Sequence, residues 1–423
     1  MQAMNETTTL PATDARRWKA LGVIALIQFM LVLDITVVNV ALSHIQSDLG
    51  FSRASLAWVV DGYVLTAGGL ILLGGRLADL LGRKRMFLAG VAVFAAASAA
   101  SGFAVDPGML IASRFLQGAG EALAAPAGFG LIALLFTEPT ERAKAIGISG
   151  GVAGLGGTLG PILSGLLISG LSWRWIFFIN VPVAAFALVS VNRLVAESRA
   201  DRRPNQGRPD LGGGALVTAG LVGVVYGLVQ AATHPWGSAS VVGPLLAGLV
   251  LVATFAVHER RSADPLMPRG FLGNRTRLMA NVAGLWFAAA FFTLFYLLTL
   301  YWEQVQGWSA LRVGLSYLPF GVVITFGIGM AASLIPRVGV KVPLVAGSTL
   351  FAAGVLLMSR ITPGGSYWTQ AFPAILVAAI GAGLCFSAFG NASMHEVSGQ
   401  DAGLAAGMRS TSQQVGGALG LAV

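Results

Sequence analysis

Asp34 stands alone in an apolar run. From Ala20 through Ser43 it is the one charged residue in a stretch long enough to span a bilayer. A lone carboxylate at that depth costs at least ~2.5 kcal/mol and normally faces a water-filled interior. Its chemistry is the binding of a proton or cation along a transport pathway. A signal peptide or anchor with a stray acid is the weaker reading, because a dozen similar runs follow and no small-residue cleavage site does. Further on, RFLQGAGEALAAP (114–126) sets Arg114, Gln117, Gly118 and Glu121 at i, i+3, i+4 and i+7, on one helix face. Opposite charges on one face of a membrane span point to transport, with Arg114 as a charge partner. Glu121 reads as a second protonatable group or as a pocket acid that selects cationic substrates. Asp61 reads equally as a proton site and as a solvated residue at the outer mouth of its span. The aromatic run WFAAAFFTLFY (286–296), with Trp286, Phe291 and Phe295, suits either a substrate pocket or lipid-facing packing. No His, Cys or carboxylate cluster has metal-ligand spacing, which weighs against a membrane-embedded enzyme or sensor. Cys385 is the only cysteine, so disulfides within the chain and cysteine zinc sites are excluded.

The composition says what must hold these groups. Hydrophobic residues make up 55% of 423 and charged residues 11%, with a mean hydropathy of +0.76. Soluble domains carry roughly 25% charge, so this is an all-α, polytopic membrane protein. The net charge of +9 does not imply nucleic acid, since the basic residues lie in short loops between apolar spans, where they set topology and touch anionic lipid.

Along the chain, residues 1–17 read as a disordered tail and 18–195 as a bundle of six spans, at about 20–43, 56–75, 86–105, 109–135, 145–171 and 175–194. A loop is expected at 44–55. The polar stretch 196–210 reads as a linker. Residues 211–258 are too long for one crossing and are broken by THPWGS (233–238), giving two additional spans. A basic loop, 259–277, leads into a second bundle over 278–423 with spans at about 278–301, 313–335, 342–360 and 370–393. A thirteenth span begins near Gly403, and a fourteenth is expected beyond Val423 to complete the bundle. With the N-terminus inside, 21 of the 27 Arg and Lys fall on cytoplasmic loops, so the positive-inside rule places the N-terminus in the cytoplasm.

Several stretches together resemble the major facilitator superfamily, and within it the fourteen-helix drug:proton antiporters. They are LDITVVNVAL (33–42), GGRLADLLGRKR (74–85), RFLQGAGEALAAP (114–126), GLGGTLGPILSG (154–165), WRWIFFINVP (173–182), VQGWSALRVGLSYLP (305–319) and QQVGGALG (413–420). The resemblance implies two six-helix bundles around a central cavity, with two extra helices between them, rocking to give alternating access. It implies a cytoplasmic latch at Gly75, Asp79, Gly82 and Arg83, and an antiporter hinge at Gly156, Gly160, Pro161 and Gly165. Physically, Gly75 permits a close helix approach, Gly82 ends a helix, and an acid at Asp79 suits a partner helix N-terminus and a nearby Arg. Without the resemblance, these residues are equally a topology signal and a small-residue packing stripe bent by a proline. Ser164 stands where the hinge pattern usually has Gly. A faded copy of the latch in the second half places Pro336, Gly339 and Lys341 opposite Asp79, Gly82 and Lys84, without the acid.

The expectation is a bacterial inner-membrane, multi-pass secondary transporter. It exports amphipathic or cationic small molecules, as in multidrug efflux, in exchange for protons. Asp34, Arg114 and Glu121 carry the coupling, and Asp34, Glu121, Asp61, Gln117, Trp286, Phe291 and Phe295 line a substrate cavity. The alternative is a dedicated metabolite or antibiotic exporter, or a proton symporter. No cofactor beyond the proton gradient and no nucleic acid is expected, and the protein is expected to be a monomer. One geometric expectation follows from helix rise. Asp34 lies ~22 Å along its span from the cytoplasmic edge and Arg114 ~21 Å above that edge, at 1.5 Å per residue in a core ~30 Å thick. The two are therefore expected to pair, directly or through one water, with Glu121 deeper and outside the pair.

Overall fold

The computed structural model describes residues 15–195, 210–231, 234–262, 265, 271–397 and 402–422. Among these every regular element is helical. The first half contains α1 (Ala15–Leu49), α2 (Arg53–Leu56), α3 (Trp58–Leu81), α4 (Arg83–Gly102), α5 (Pro107–Leu135), α6 (Pro139–Gly170), α7 (Trp175–Phe178) and α8 (Asn180–Leu194). Two helices follow, α9 (Leu211–Ala231) and α10 (Ala239–Arg261). The second half contains α11 (Arg275–Leu300), α12 (Ala310–Ser316), α13 (Leu318–Val338), α14 (Lys341–Met358), α15 (Phe372–Ser393) and α16 (Ala402–Ala422). Single π-helical turns close α11 (Tyr301–Val305) and open α15 (Tyr367–Ala371). Ten helical stretches among the described residues are long and apolar enough to cross a membrane.

Helix limits follow local chemistry. Asp106 caps α5 by accepting from Met109 N at 2.9 Å, with Pro107 in the first turn, and Asn274 caps α11 by accepting from Arg277 N at 3.1 Å. Between α3 and α4 the chain reverses at Gly82 with φ +111°, and between α13 and α14 at Gly339 with φ +74°. The faded repeat thus keeps the turn glycine in both halves.

Several boundaries differ from the sequence reading. Residues 15–17, expected in the tail, are helical, and Arg17 pairs with Glu141 of α6 at 2.8 Å. Residues 44–49, expected as loop, continue α1, where Asp48 holds Arg174 at 2.6 Å and accepts from Trp173 Nε1 at 3.0 Å. Hydropathy marks where hydrocarbon ends, but the intrahelical ladder runs on wherever side chains find polar partners. Likewise α10 extends to Arg261 and α11 starts at Arg275, inside the expected loop 259–277. Linker residues 196–209 lie outside the described residues.

The first half packs α5 against α3 and α4, α6 against α1, and α8 against α1 and α4. The second half packs α15 against α13 and α14, and α16 against α11. The halves meet along two seams, α6 with α12 and α13 on one flank, and α3 with α16 on the other. At the second seam Thr411 donates to Gly68 O at 2.7 Å, and a Cβ on Gly68 would stand 2.8 Å from Gln414 Cβ. Helix α9 lies against both α3 and α16, and α10 packs on α9. Below, the near face is the one where α1 begins and the far face the one where it ends.

Candidate functional site

Three helices of the first half build one polar cluster in an otherwise apolar core. Asp34, midway along α1, is fully buried, and so are Arg114 and Gln117 of α5. The Arg114 Nη1 donates to Asp34 Oδ2 at 2.5 Å. Gln117 Nε2 donates to Asp34 Oδ1 at 3.1 Å, and Asn180 Nδ2 of α8 donates to the same oxygen at 2.8 Å. Arg114 is held in turn by Val59 O, which accepts from Nε at 2.7 Å, and by Gln117 Oε1, which accepts from Nη1 at 2.8 Å. Its guanidinium lies 4.3 Å from the Tyr63 ring centroid. Outside these, Ser101 donates to Gln117 Oε1 at 3.2 Å, and Asn180 Nδ2 also reaches Ser98 Oγ at 3.0 Å. The charge-assisted bonds and two amide donors satisfy both carboxylate oxygens away from water, the condition under which a buried ion pair is tolerated. Guanidinium Nη2 has no acceptor. The cluster is therefore closed around the carboxylate and open by one donor on the cation.

The depth count and the observed distance agree, because helix rise is fixed and Arg114, two turns below the start of α5, descends to the level of Asp34 midway along α1. Asn180 was not singled out from the sequence. It lies within WRWIFFINVP, and that motif now has parts with separate tasks. Trp173 and Arg174 tie the start of α7 to Asp48, and Asn180 carries α8 to Asp34. An Asn in an apolar span was the available signal, since a buried amide needs partners.

Other candidates separate. Glu121 is 8% exposed and its Oε2 has no partner, so it stands outside the Asp34–Arg114 pair. Asp61 is 0% exposed with neither oxygen bonded, which corrects the solvated-mouth reading. Trp58, in the first turn of the same helix, stacks on Phe115 at 6.1 Å and meets Tyr226 of α9 at 6.0 Å. Gln117 belongs to the ion-pair network. The aromatic run divides by helix phase. Phe291 and Phe295 share a face with Phe287 and pack on Phe320, Phe351, Phe386 and Tyr317 inside the second half, whereas Trp286 is 66% exposed on another face. As a set, then, Trp286, Phe291 and Phe295 do not line one pocket.

The hinge residues are joints between helices. A Cβ on Gly156 would stand 2.7 Å from Phe29 O, one on Gly160 would collide with Thr36, and one on Gly165 would stand 2.6 Å from Leu311 Cα. The stripe therefore seats α6 on α1 and on α12 across the seam, with Gly314 of α12 against Pro161 O. Ser164, the departure from the pattern, donates to Val37 O of α1 at 2.7 Å and so ties the same joint. At the latch, Gly75 faces Pro126, Gly82 makes the turn, and Arg83 donates to Gly130 O at 3.1 Å. The Asp79 side chain lies outside the described residues.

The far face shows a contact not expected from the sequence. Ser43 of α1 donates to the Glu303 carboxylate in the π-helical turn of α11. This joins the halves beside a cavity of about 360 Å³ lined by His44, Ser47, Ser169 and Trp308.

Comparison with known proteins agrees with this architecture. The family model described as Major Facilitator Superfamily matches residues 24–421. The chain is 40% identical over 425 residues to the puromycin resistance protein of Streptomyces alboniger, covering 99% of this chain and 83% of the relative. It is 38% identical to the lincomycin resistance protein of Streptomyces lincolnensis, with 97% and 84% covered, and 39% identical to the cephamycin export protein of Amycolatopsis lactamdurans, with 93% and 82% covered. Among solved structures, a bacterial homologue of the human lysosomal transporter Spinster aligns with a TM-score of 0.64 at 20% identity, over 97% of this chain and 82% of that one. A POT family transporter aligns at 0.68 and 16%, over 95% and 89%. By family match, by its relatives and by its fold, the chain belongs to the Major Facilitator Superfamily and is a membrane transporter, not an enzyme.

Proposed function

We propose that this transporter exports antibiotic-like small molecules from the cell in exchange for protons, with Asp34 as the proton carrier. The observation that carries the mechanism is the fully buried Asp34 carboxylate shared by Arg114, Gln117 and Asn180 from two neighbouring helices. An ionisable group at such depth is expensive unless it serves transport. Proton uptake at Asp34 removes its charge and loosens its hold on Arg114, and proton release restores it. Because α1 packs on α6, and α6 forms one seam with the second half, a change at Asp34 acts on an element that both halves share. Glu121 supplies a second protonatable group beside this cluster. The exporter reading is supported by the resistance and export proteins that the chain resembles, which favours a dedicated antibiotic exporter over broad multidrug efflux. The distribution of basic residues supports a cytoplasmic near face.

The test is substrate efflux from proteoliposomes under an imposed pH gradient, first with puromycin and lincomycin. Wild-type protein is expected to export at least one compound in a gradient-dependent way. Asp34→Asn is expected to reach the membrane and lose the gradient dependence. Normal gradient-driven efflux by Asp34→Asn would remove Asp34 from the mechanism.

A further inference from the structure

The second half contains a half-buried cation that no carboxylate pairs among the described residues. Arg409, on the second turn of α16, donates from Nη2 to Phe386 O of α15 at 3.3 Å, and its Nε has no acceptor. Gly390 lets the guanidinium lie against α15, since a Cβ there would stand only 3.2 Å from Nη1. Arg409 forms the polar wall of a cavity of about 370 Å³, whose other walls are Ile328 of α13, Phe386, Ser387 and Asn391 of α15, and Met394. That volume falls within the range of small-molecule pockets, roughly 300–1,000 Å³. The position matters as much as the size. Two walls of the cavity, α13 and α16, are the helices through which the second half meets the first, at α6 and at α3. It lies toward the near face, where α15 ends and α16 begins.

A guanidinium keeps its charge at any physiological pH and offers a planar fork of donors that matches a carboxylate. Held half-buried with donors unmet, beside apolar Ile328, Phe386 and Met394, it is complementary to an anion carried on an apolar body. We propose that this cavity binds the anionic group of the exported molecule, a carboxylate or phenolate on an aromatic or aliphatic frame, with Arg409 as its charge partner. The substrate class then includes organic acids and amphoteric compounds, beyond the lipophilic cations that the acids of the first half would select. This inference rests on the exporter reading for the identity of the ligand, but the site itself needs no gradient.

The experiment is equilibrium binding, by fluorescence anisotropy, of a rhodamine bearing a free carboxylate and of its methyl ester. The full chain is held in nanodiscs of phosphatidylcholine, as wild type, Arg409→Gln and Arg409→Lys. Wild-type protein is expected to prefer the acid, and Arg409→Gln to lose that preference by about 10- to 100-fold, the range set by one charge-assisted hydrogen bond. Ester binding is expected to stay unchanged, and Arg409→Lys to keep most of the preference. Should Arg409→Gln fail to fold, benzoate is expected to displace the acid dye from wild-type protein and spare the ester. Equal binding of acid and ester to wild type, binding of neither, or a preference that survives Arg409→Gln overturns the proposal. A preference that vanishes when phosphatidylglycerol is added assigns the cavity to lipid headgroups and also overturns it. Efflux failure with these results intact would count against export alone.

Discussion

Removing either partner of the Asp34–Arg114 pair is expected to be damaging, but unequally. In Asp34→Asn the guanidinium remains fully buried, with Val59 O and Gln117 Oε1 as its acceptors and no negative charge. It cannot shed its proton. Breaking a buried pair from one side typically costs about 3–5 kcal/mol, and this variant belongs at the upper end. In Arg114→Gln the carboxyl keeps two amide donors, from Gln117 and Asn180, and can be neutralised by a proton. Its loss is expected near the lower end of that range. The double variant leaves no charge and several amides that can bond to one another, so it should resemble the milder single variant. The coupling between the two changes then equals the cost of the harsher single variant, about 5 kcal/mol, well above the values for distant sites. Polytopic proteins unfold irreversibly, so the readout is the rate of thermal inactivation at one temperature, followed by monodispersity of the solubilised protein. If the cluster is broken in the rate-limiting step, about 5 kcal/mol of coupling appears as roughly a 4,000-fold difference between the double variant and the product of the singles. Strictly additive rates, or Arg114→Gln inactivating faster than Asp34→Asn, would refute this account of the cluster.

Two further expectations test the joints. Gly160→Val forces α1 and α6 apart at Thr36 and is expected to cost ~1–3 kcal/mol of stability, whereas Gly157→Val, with Val32 Cγ1 3.9 Å from its Cβ position, should be tolerated; equal thermal inactivation of the two would count against the packing role. Glu303→Ala removes the acceptor of Ser43 and is expected to raise far-face labelling of a cysteine at Ser47 by a membrane-impermeant maleimide about 5- to 10-fold, in line with one lost hydrogen bond of ~1 kcal/mol, with Glu303→Gln near wild type; unchanged labelling in both would remove this contact from the closure of the far face.

What the sequence made legible was depth and face, because both follow from helix rise and phase. Asp34 and Arg114 could be matched in height from counts along α1 and α5, and Gln117 falls on the Arg114 face by spacing alone. What it concealed was the rotation of one helix against another. Whether Asn180 points at Asp34 or at lipid depends on how α8 turns against α1 and α4. Asp61 shows the same limit, since its full burial comes from the packing of α3 against helices far away in the chain. Trp286 and Phe291 read alike in composition, and only the partners of α11 separate the exposed face from the packed one. Helix ends were shifted for a different reason: apolarity reports the hydrocarbon boundary, whereas Arg17, Asp48 and Arg174 find partners beyond it.

Helix α9 gives the two flanks of the transporter different relations to the lipid. On one flank α3 presents Gly68 to α16 and Gly69 to Thr218 of α9, so close that a Cβ on Gly69 would collide with that threonine. The seam there is battened by a third helix, with α10 as its outer layer. On the other flank α6 meets α12 and α13, and neither α9 nor α10 lies against that line. Among the described residues, then, one flank is covered by a third helix and the other is not. Any rocking of the halves about that seam would have to move α9 against α3 or against α16, since it packs on both. Gly68 and Gly69 are the small residues at which such sliding would take place.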